Sequence, residues 1–482
     1  MAAVWGEITA KEIHNAVGGI RIFGEHQTRL AGISTDSRNI RPGDVFFALT
    51  GERYDGHDFI SECVKKGAAG VVVETGFWDK KIVRERKEFQ DVVVIMVADT
   101  LQALGDFAGW WRKHHDAQVI AVTGSAGKTT TKEMTATILG LAHNTLKNEG
   151  NLNNLIGLPL TLLQLEKSHG KAVLEMGMNR SGEVARLTEI AAPDVGAITN
   201  VGRAHLEGVG NLEGVAKAKV ELVEKMPSSG KVVLNGDDEL LLKTASVFGR
   251  QATTFGLGLM NDVRADNIRN LGRKGVEFDL VYSGKASPAR LRTPGLQNVS
   301  NALAAASVCM CTGEPVNNIL DGLERFEGVK GRFMVSSLPG NTVLIDDTYN
   351  SNPSSLEAAL ESVSALAHKD MHIIVGLGEM MELGGSAERF HREAGRKVAE
   401  LAPECFSAMG EHARDMIKGA VDAGMQKSKT RVAENHDEMI RIIRSEMREG
   451  CLIFLKGSRK MNLEKVVEGL KFTAAGIASQ RK

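Results

Sequence analysis

The chain lacks a surplus of either charge. Its 59 Lys and Arg stand against 60 Asp and Glu, a formal net charge of −1 over 482 residues. No bulk basic field exists to hold nucleic acid, so an anionic ligand has to be met by local lysines, arginines or metal. Cysteine is scarce and odd in number: Cys63, Cys309, Cys311, Cys405 and Cys451. That count suits reduced thiols in the cytoplasm rather than a disulfide framework. Cys309 and Cys311 are too close for a usual zinc pair and fall in an alanine-rich helical pattern, so core packing is expected. No apolar run approaches membrane-spanning length. The first residues carry Glu7, Lys11 and Glu12 in place of the apolar segment of a signal peptide. A cytoplasmic enzyme without membrane insertion is expected, and 43% apolar with 25% charged residues is the composition of a soluble globular protein.

At this length two to four domains are expected. Thr9 and Glu12 form a capping-box pattern, and residues 30–98 alternate strand-like runs with turns. A Trp-rich helix near 101–115 leads to residues 118–245, where strands and helices alternate as in a parallel sheet. Residues 250–293 change to short β-like runs that carry no assignable motif. The last third alternates again. The pattern predicts an α/β chain of three domains in series. They are a small N-terminal α/β domain over 1–99, a central P-loop domain with a mostly parallel sheet over 100–326, and a C-terminal Rossmann-like domain over 327–482.

One motif carries a mechanism by itself. Gln118–Val122 is an apolar strand, Thr129–Leu139 reads as a helix, and Gly124-Ser125-Ala126-Gly127-Lys128-Thr129-Thr130 lies between them. Glycines let several N–H groups converge on one anion, and the helix N-terminus adds partial positive charge. Lys128 suits the β- and γ-phosphates and the Thr129 hydroxyl suits Mg²⁺. The pattern is a shortened form, since Val122 stands where the full motif has glycine.

Other positions are ambiguous when read alone. Glu175 ends the apolar strand 172–175, where α/β proteins bind ligands; with a phosphate loop upstream, Mg²⁺ ligation is favoured over a loop-bonded edge carboxylate. His205, in a glycine-rich loop, reads as a surface residue, and imidazole is not what Mg²⁺ selects. Lys219, in the helical stretch 212–225, reads as part of a solvated face. Asn298 and Asn301 open a helix and either cap it or meet a nucleobase, capping being the stronger reading. Arg332 could meet a phosphate and Asp346, closing a strand, a ribose hydroxyl. Asn350 to Pro353 is equally a turn, and Ser34-Thr35-Asp36-Ser37-Arg38 an ordinary polar loop.

Together these segments resemble, in order and over essentially the whole chain, the ATP-dependent amino-acid ligases that build the peptidoglycan stem peptide. The matching pieces are Ser34–Arg38 with Arg41–Leu49, Thr123–Thr130, Gly150–Gly157, Leu174–Gly177, Thr199–Gly208, Ala216–Lys219, Asn298–Ala306, Asp346–Pro353 and Lys456–Arg459. Gly376–Gly384 with His391 looks like the branch that adds D-alanyl-D-alanine. Glu149 and Gln297 depart from the family, which often has Thr and His there.

The resemblance implies a cytoplasmic cell-wall enzyme, serving cell shape and division, that activates a carboxylate with ATP as an acyl phosphate. Its partners would be UDP-N-acetylmuramoyl-tripeptide and D-alanyl-D-alanine, and a monomer is expected. Lys219 matches the family's carbamylated lysine, formed with CO₂. Glu175, His205 and Thr129 would join it around two Mg²⁺ ions. Gly124 to Thr130, Asn298, Asn301, Arg332 and Asp346 would hold ATP. Ser34, Thr35, Asp36, Ser37 and Arg38 would hold the UDP end, and Asn153, Asn154, Asn350, Asn352 and Arg459 other parts of the substrates. A sister ligase adding one diamino acid, a folylpolyglutamate-type ligase and an ATP-driven switch are the rival readings. The Gly376–Gly384 segment argues against the first two and the metal set against the third.

Overall fold

Thr9 starts the first helix, Ala10–Ala16, because its hydroxyl accepts the Glu12 N–H at 3.3 Å while the Glu12 carboxylate takes the Thr9 N–H at 2.8 Å. The computed structural model describes residues 8–78, 89, 91–367 and 371–471. Beyond that helix the chain forms three sheets. The first has five strands, ordered Arg21–Phe23, Val93–Val97, Gly70–Glu74, Asp44–Phe47 and Gly32–Ser34, parallel except at the Arg21–Phe23 edge.

Helix Thr100–Lys113, capped by Asp99 on the Gln102 N–H at 2.8 Å, links this sheet to the second. The second sheet has nine strands, and Gln118–Thr123 lies inside it between Val195–Ile198 and Lys171–Glu175. Val119, Ile120, Ala121 and Val122 have no exposure at all. A parallel strand covered on both faces reads as such a continuous apolar run. The β-like runs of 250–293 extend this sheet. Ala252–Gly256 and Val263–Asn270 join in parallel, and Val276–Tyr282 and Lys285–Leu291 finish it as antiparallel neighbours.

The third sheet runs Met334–Leu338, Thr342–Asp347, Leu452–Lys456, Ile373–Gly378, Cys405–Met409, Thr430–Ala433, with only the first pairing antiparallel. The fold is therefore α/β with an N-terminal, a middle and a C-terminal sheet, as the alternation predicts.

The apolar cores follow a different division. One cluster runs from Val45, Phe47 and Ile95 of the first sheet, through Leu104 and Phe107 of the linking helix, to Val119, Ala121 and Leu174 of the second. The opposite face of the second sheet packs Ile120 and Val122 against Met134, Ile138 and the helix Leu296–Cys311. Two further clusters cover the two faces of the third sheet. All five cysteines are free and buried, with Cys309 and Cys311 in the apolar cluster of the second sheet. No described helix is long and apolar enough to cross a membrane.

Candidate functional site

The phosphate loop lies between strand Gln118–Thr123 and helix Lys128–Leu139. Gly124 and Gly127 take positive φ, 145° and 81°. A side chain at Gly127 would also run into the Asn301 amide, and one at Gly124 into the Thr199 hydroxyl. Glycine is therefore required at both for conformation and for space. The next loop of the sheet braces the cradle. Asn200 accepts the Ala126 N–H at 2.9 Å, and the Ser125 hydroxyl accepts the Gly202 N–H at 2.8 Å. Lys128 Nζ donates to the Gly124 carbonyl at 2.8 Å. Burial pushes its ammonium below the ordinary lysine range, while Glu175 pulls the other way.

Glu175 is buried at the carboxyl end of its strand. Asn148 holds its backbone on both sides, accepting the Glu175 N–H at 2.9 Å and donating to its carbonyl at 3.1 Å. Asn153 Nδ2 donates to Glu175 Oε1 at 2.7 Å, while Oε2 is buried with no hydrogen-bond partner. Asn153 thus holds the carboxylate rather than standing free. Asn154 Oδ1 accepts the Gly157 N–H at 2.8 Å and so braces the start of helix Gly157–Leu162.

Lys219 is fully buried in helix Leu212–Lys225, and its Nζ also has no hydrogen-bond partner. The solvated face expected from charge pattern is the face of Lys217, which is exposed. Lys219 instead follows Val215 and Ala216 and precedes Val223 on the buried stripe, a spacing of three and four residues that the sequence did contain. Its amine is held well below the ordinary range by burial first and Lys128 second, with Glu175 and Glu221 opposing.

His205 adopts a left-handed conformation, φ 55°, before the short helix Leu206–Val209. Its Nδ1 lies 2.5 Å from Glu382 Oε2 of the third domain, a partner that residue types alone did not suggest. Among the described residues no three His, Cys, Asp or Glu side chains gather as a metal cage.

The third domain closes the cleft. A cavity of about 520 Å³ is lined by Ser125 to Thr130, His205, Asn298, Asn301, Arg332, Asn350 and Asn352, together with Asp347 and Lys456. Arg332 donates to the Thr129 hydroxyl at 3.2 Å and stacks on Tyr349, 4.1 Å from the ring centre. Asn352 caps helix Pro353–Leu366 through the Ser355 N–H and donates to the Ser125 carbonyl at 3.4 Å.

Two expectations require correction. Capping by Asn298 fails because helix Leu296–Cys311 starts earlier, with Gly295 at φ 101° as its cap; both Asn298 and Asn301 lie within the helix and face the cleft. Asp346 is absent from the cavity wall, its Oδ1 taken by the Thr348 hydroxyl at 2.6 Å. Its neighbour Asp347 lines the wall, paired with Lys456 at 2.6 Å. Successive strand residues point to opposite faces, and sequence alone does not say which of two adjacent aspartates faces the cleft.

The remaining expected residues lie outside the cavity. Arg459 pairs with Glu464 at 2.9 Å and sits 5.8 Å from the Tyr349 ring centre. Ser34, Thr35, Asp36, Ser37 and Arg38 form a turn in the first domain. The Ser34 hydroxyl accepts the Asp36 N–H at 3.1 Å, and Arg38 grips the Asp36 carboxylate at 2.7 Å. That guanidinium holds Asp36 down at about 2. The arginine itself is largely exposed, at 84%.

Comparison with known proteins covers all three parts. Residues 29–111 match the Mur ligase family catalytic domain, 122–309 the Mur ligase middle domain and 331–459 the Mur ligase glutamate ligase domain. The UDP-N-acetylmuramoyl-tripeptide–D-alanyl-D-alanine ligase of Escherichia coli (strain K12) is 35% identical over 444 residues, 92% of this chain and 94% of its own. The protein of that name from Bacillus subtilis (strain 168) is 32% identical over 463 residues, 96% and 98%. A crystal structure of MurF from Acinetobacter baumannii matches with a TM-score of 0.84 and 33% identity, over 96% of this chain and 98% of that one. MurF ligase from Thermotoga maritima, solved in complex with ADP, matches with a TM-score of 0.80 and 27% identity, over 93% and 98%. Phosphate loop, braced carboxylate and three-sheet architecture thus meet near-full-length likeness: the chain belongs to the Mur ligase family.

Proposed function

We infer that the chain is an ATP-dependent amide-forming ligase of peptidoglycan synthesis, adding D-alanyl-D-alanine to UDP-N-acetylmuramoyl-tripeptide through an acyl phosphate. The observation that carries this reading is the near-full-length likeness to ligases of that name, at up to 35% identity. It is supported by the electrostatic interaction of Lys128, in the phosphate loop, with the buried Glu175 and Lys219. The tripeptide's terminal carboxylate attacks the γ-phosphate, and ADP leaves. The amine of the dipeptide then attacks the acyl carbon, loses its proton, and phosphate departs. Lys128 meets the phosphate charge, and alignment of the two anions is the chain's main contribution, worth about 7–11 kcal/mol when reactants are held in line.

The buried atoms fit the cation and the carbamate that the family resemblance implies. Glu175 Oε2 and Lys219 Nζ both lack partners, and a protonated Lys219 would be an unpaired buried charge, a costly arrangement. As a neutral amine it can attack CO₂ and release a proton, leaving a carbamate anion with two oxygens. Thr129, Glu175, His205 and that carbamate would hold two Mg²⁺ ions, which would neutralise charge between phosphate and carboxylate.

In this reading residues 1–99 hold the UDP end through Ser34 to Arg38, 100–326 hold the ATP phosphates, and 327–482 hold the dipeptide and part of the nucleoside. The Asp99 helix cap and the turn around Gly328 and Gly331 support those limits. Asn298, Asn301, Arg332 and, in place of Asp346, Asp347 would contact the nucleotide; Asn350, Asn352 and Arg459 would serve the acceptor. A cytoplasmic monomer is the corresponding proposal. The test is phosphate release with Mg-ATP and UDP-N-acetylmuramoyl-tripeptide, comparing D-alanyl-D-alanine with D-alanine, lysine and diaminopimelate. Release that requires tripeptide and dipeptide together, with a pentapeptide product, is expected. Release only with a single amino acid would overturn it.

A further inference from the structure

The segment Gly376–Gly384 and His391 build a contact between the third domain and the middle one. His391 is fully buried in helix Ala387–Glu400. Its Nδ1 lies 2.7 Å from the Ala387 carbonyl and so carries the proton, which leaves Nε2 to accept the Met380 N–H at 2.9 Å. This bond fixes the loop that leaves strand Ile373–Gly378. Two residues later Glu382 takes φ 63°, a left-handed conformation uncommon outside glycine. Its side chain reaches His205 Nδ1 of the middle domain at 2.5 Å, and its carbonyl accepts the Glu207 N–H at 3.2 Å. His205 is itself left-handed, at φ 55°. Two strained residues from different domains therefore face each other and are joined by side chain and backbone.

The surrounding contacts point the same way. Leu206 packs against the apolar cluster of the third domain. Arg203 lies over Phe390, 5.5 Å from its ring centre, and 3.8 Å from Glu393. An exposed ion pair alone would be worth little. A carboxylate at Nδ1 of a histidine does something more specific, because it holds the ring in place from the third domain.

We propose that Glu382 is a positioning residue: it fastens the third domain to the middle one and orients His205, so that the phosphate-transfer site is complete only when the two domains are seated together. The inference rests on the ligase reading above and adds a coupling between acceptor-side loop and nucleotide site. ATP attack is thereby tied to the presence of the domain that delivers the amine.

Glu382→Ala and Glu382→Gln in the full chain test it, with melting temperature as the folding check. Interdomain distance is read by a pair of spin labels, and kcat, each KM and the Mg²⁺ dependence by phosphate release. Glu382→Ala is expected to lower kcat about 10- to 100-fold, to raise the Mg²⁺ needed and to broaden the interdomain distance, with KM for the UDP substrate unchanged. Glu382→Gln keeps a polar oxygen beside Nδ1 and is expected to recover part of each; it decides the matter if the alanine variant does not fold. Wild-type kcat, Mg²⁺ dependence and distance in a folded Glu382→Ala would overturn the proposal. A wild-type enzyme that forms no amide would instead sink the ligase reading, while the distance measurement still decides whether Glu382 fastens the domains.

Discussion

Arg332, at the start of the third domain, donates to the Thr129 hydroxyl of the phosphate loop across 3.2 Å. The two residues are 203 positions apart in the chain. The guanidinium is held flat by Tyr349, so a cation is brought to the phosphate cradle by a second domain. Replacing Arg332 by Lys keeps the charge but loses the planar stack and the fixed fork. The expected loss is about 1 kcal/mol, several-fold in ATP-analogue affinity, measured by calorimetric titration with the melting temperature unchanged.

Lys128→Ala removes the ammonium proposed to meet the transferred phosphate. Loss of about 10²- to 10³-fold in acyl phosphate formation is expected, with an intact fold by circular dichroism. Near-normal turnover in the folded variant would sink the assignment of the phosphate cradle.

Gly127→Ala would force a residue at φ 81° to carry a Cβ aimed at Asn301. Strain of about 1–3 kcal/mol is expected, visible as a lower melting temperature together with lost nucleotide binding. A variant that binds ADP as the wild type does would show that loop and helix have room to shift.

Lys219 gives a pH prediction. Burial holds its amine well below 10.5, so between that depressed value and 10.5 the unfolded chain binds one proton more than the folded chain. In CO₂-free buffer this residue makes stability rise with pH across that window and fall as pH drops through it. Lys219→Met should remove that part of the slope in a pH series of melting temperatures. The same variant should also lose turnover and its response to added bicarbonate.

Arg38 is exposed and held to Asp36 in the first domain, outside the nucleotide cleft. Arg38→Ala should raise KM for the UDP substrate and leave KM for ATP unchanged. A change in ATP kinetics alone would remove the loop from the UDP site.

The sequence was most informative where one local signal decides one local structure. The phosphate loop lies between strand Gln118–Thr123 and helix Lys128–Leu139, as its glycines and flanking pattern require. Helix Leu212–Lys225 has the limits its pattern predicts, yet the burial of Lys219 was hidden because charge is usually a surface signal. The turn of Asp347 rather than Asp346 toward the cleft depends on strand orientation, and the Glu382–His205 pair on domain placement. Neither is encoded in any short window. Asn298 misled because Gly295, not an amide side chain, begins its helix.

The division of the apolar cores has a consequence for folding. Phe47 of the first sheet and Val119 of the second belong to one cluster bridged by Phe107, whereas the third sheet keeps two clusters of its own. Heat should therefore melt the chain as two cooperative blocks. On the ribosome, the block carrying the phosphate loop can complete its core before the residues of the third sheet are made.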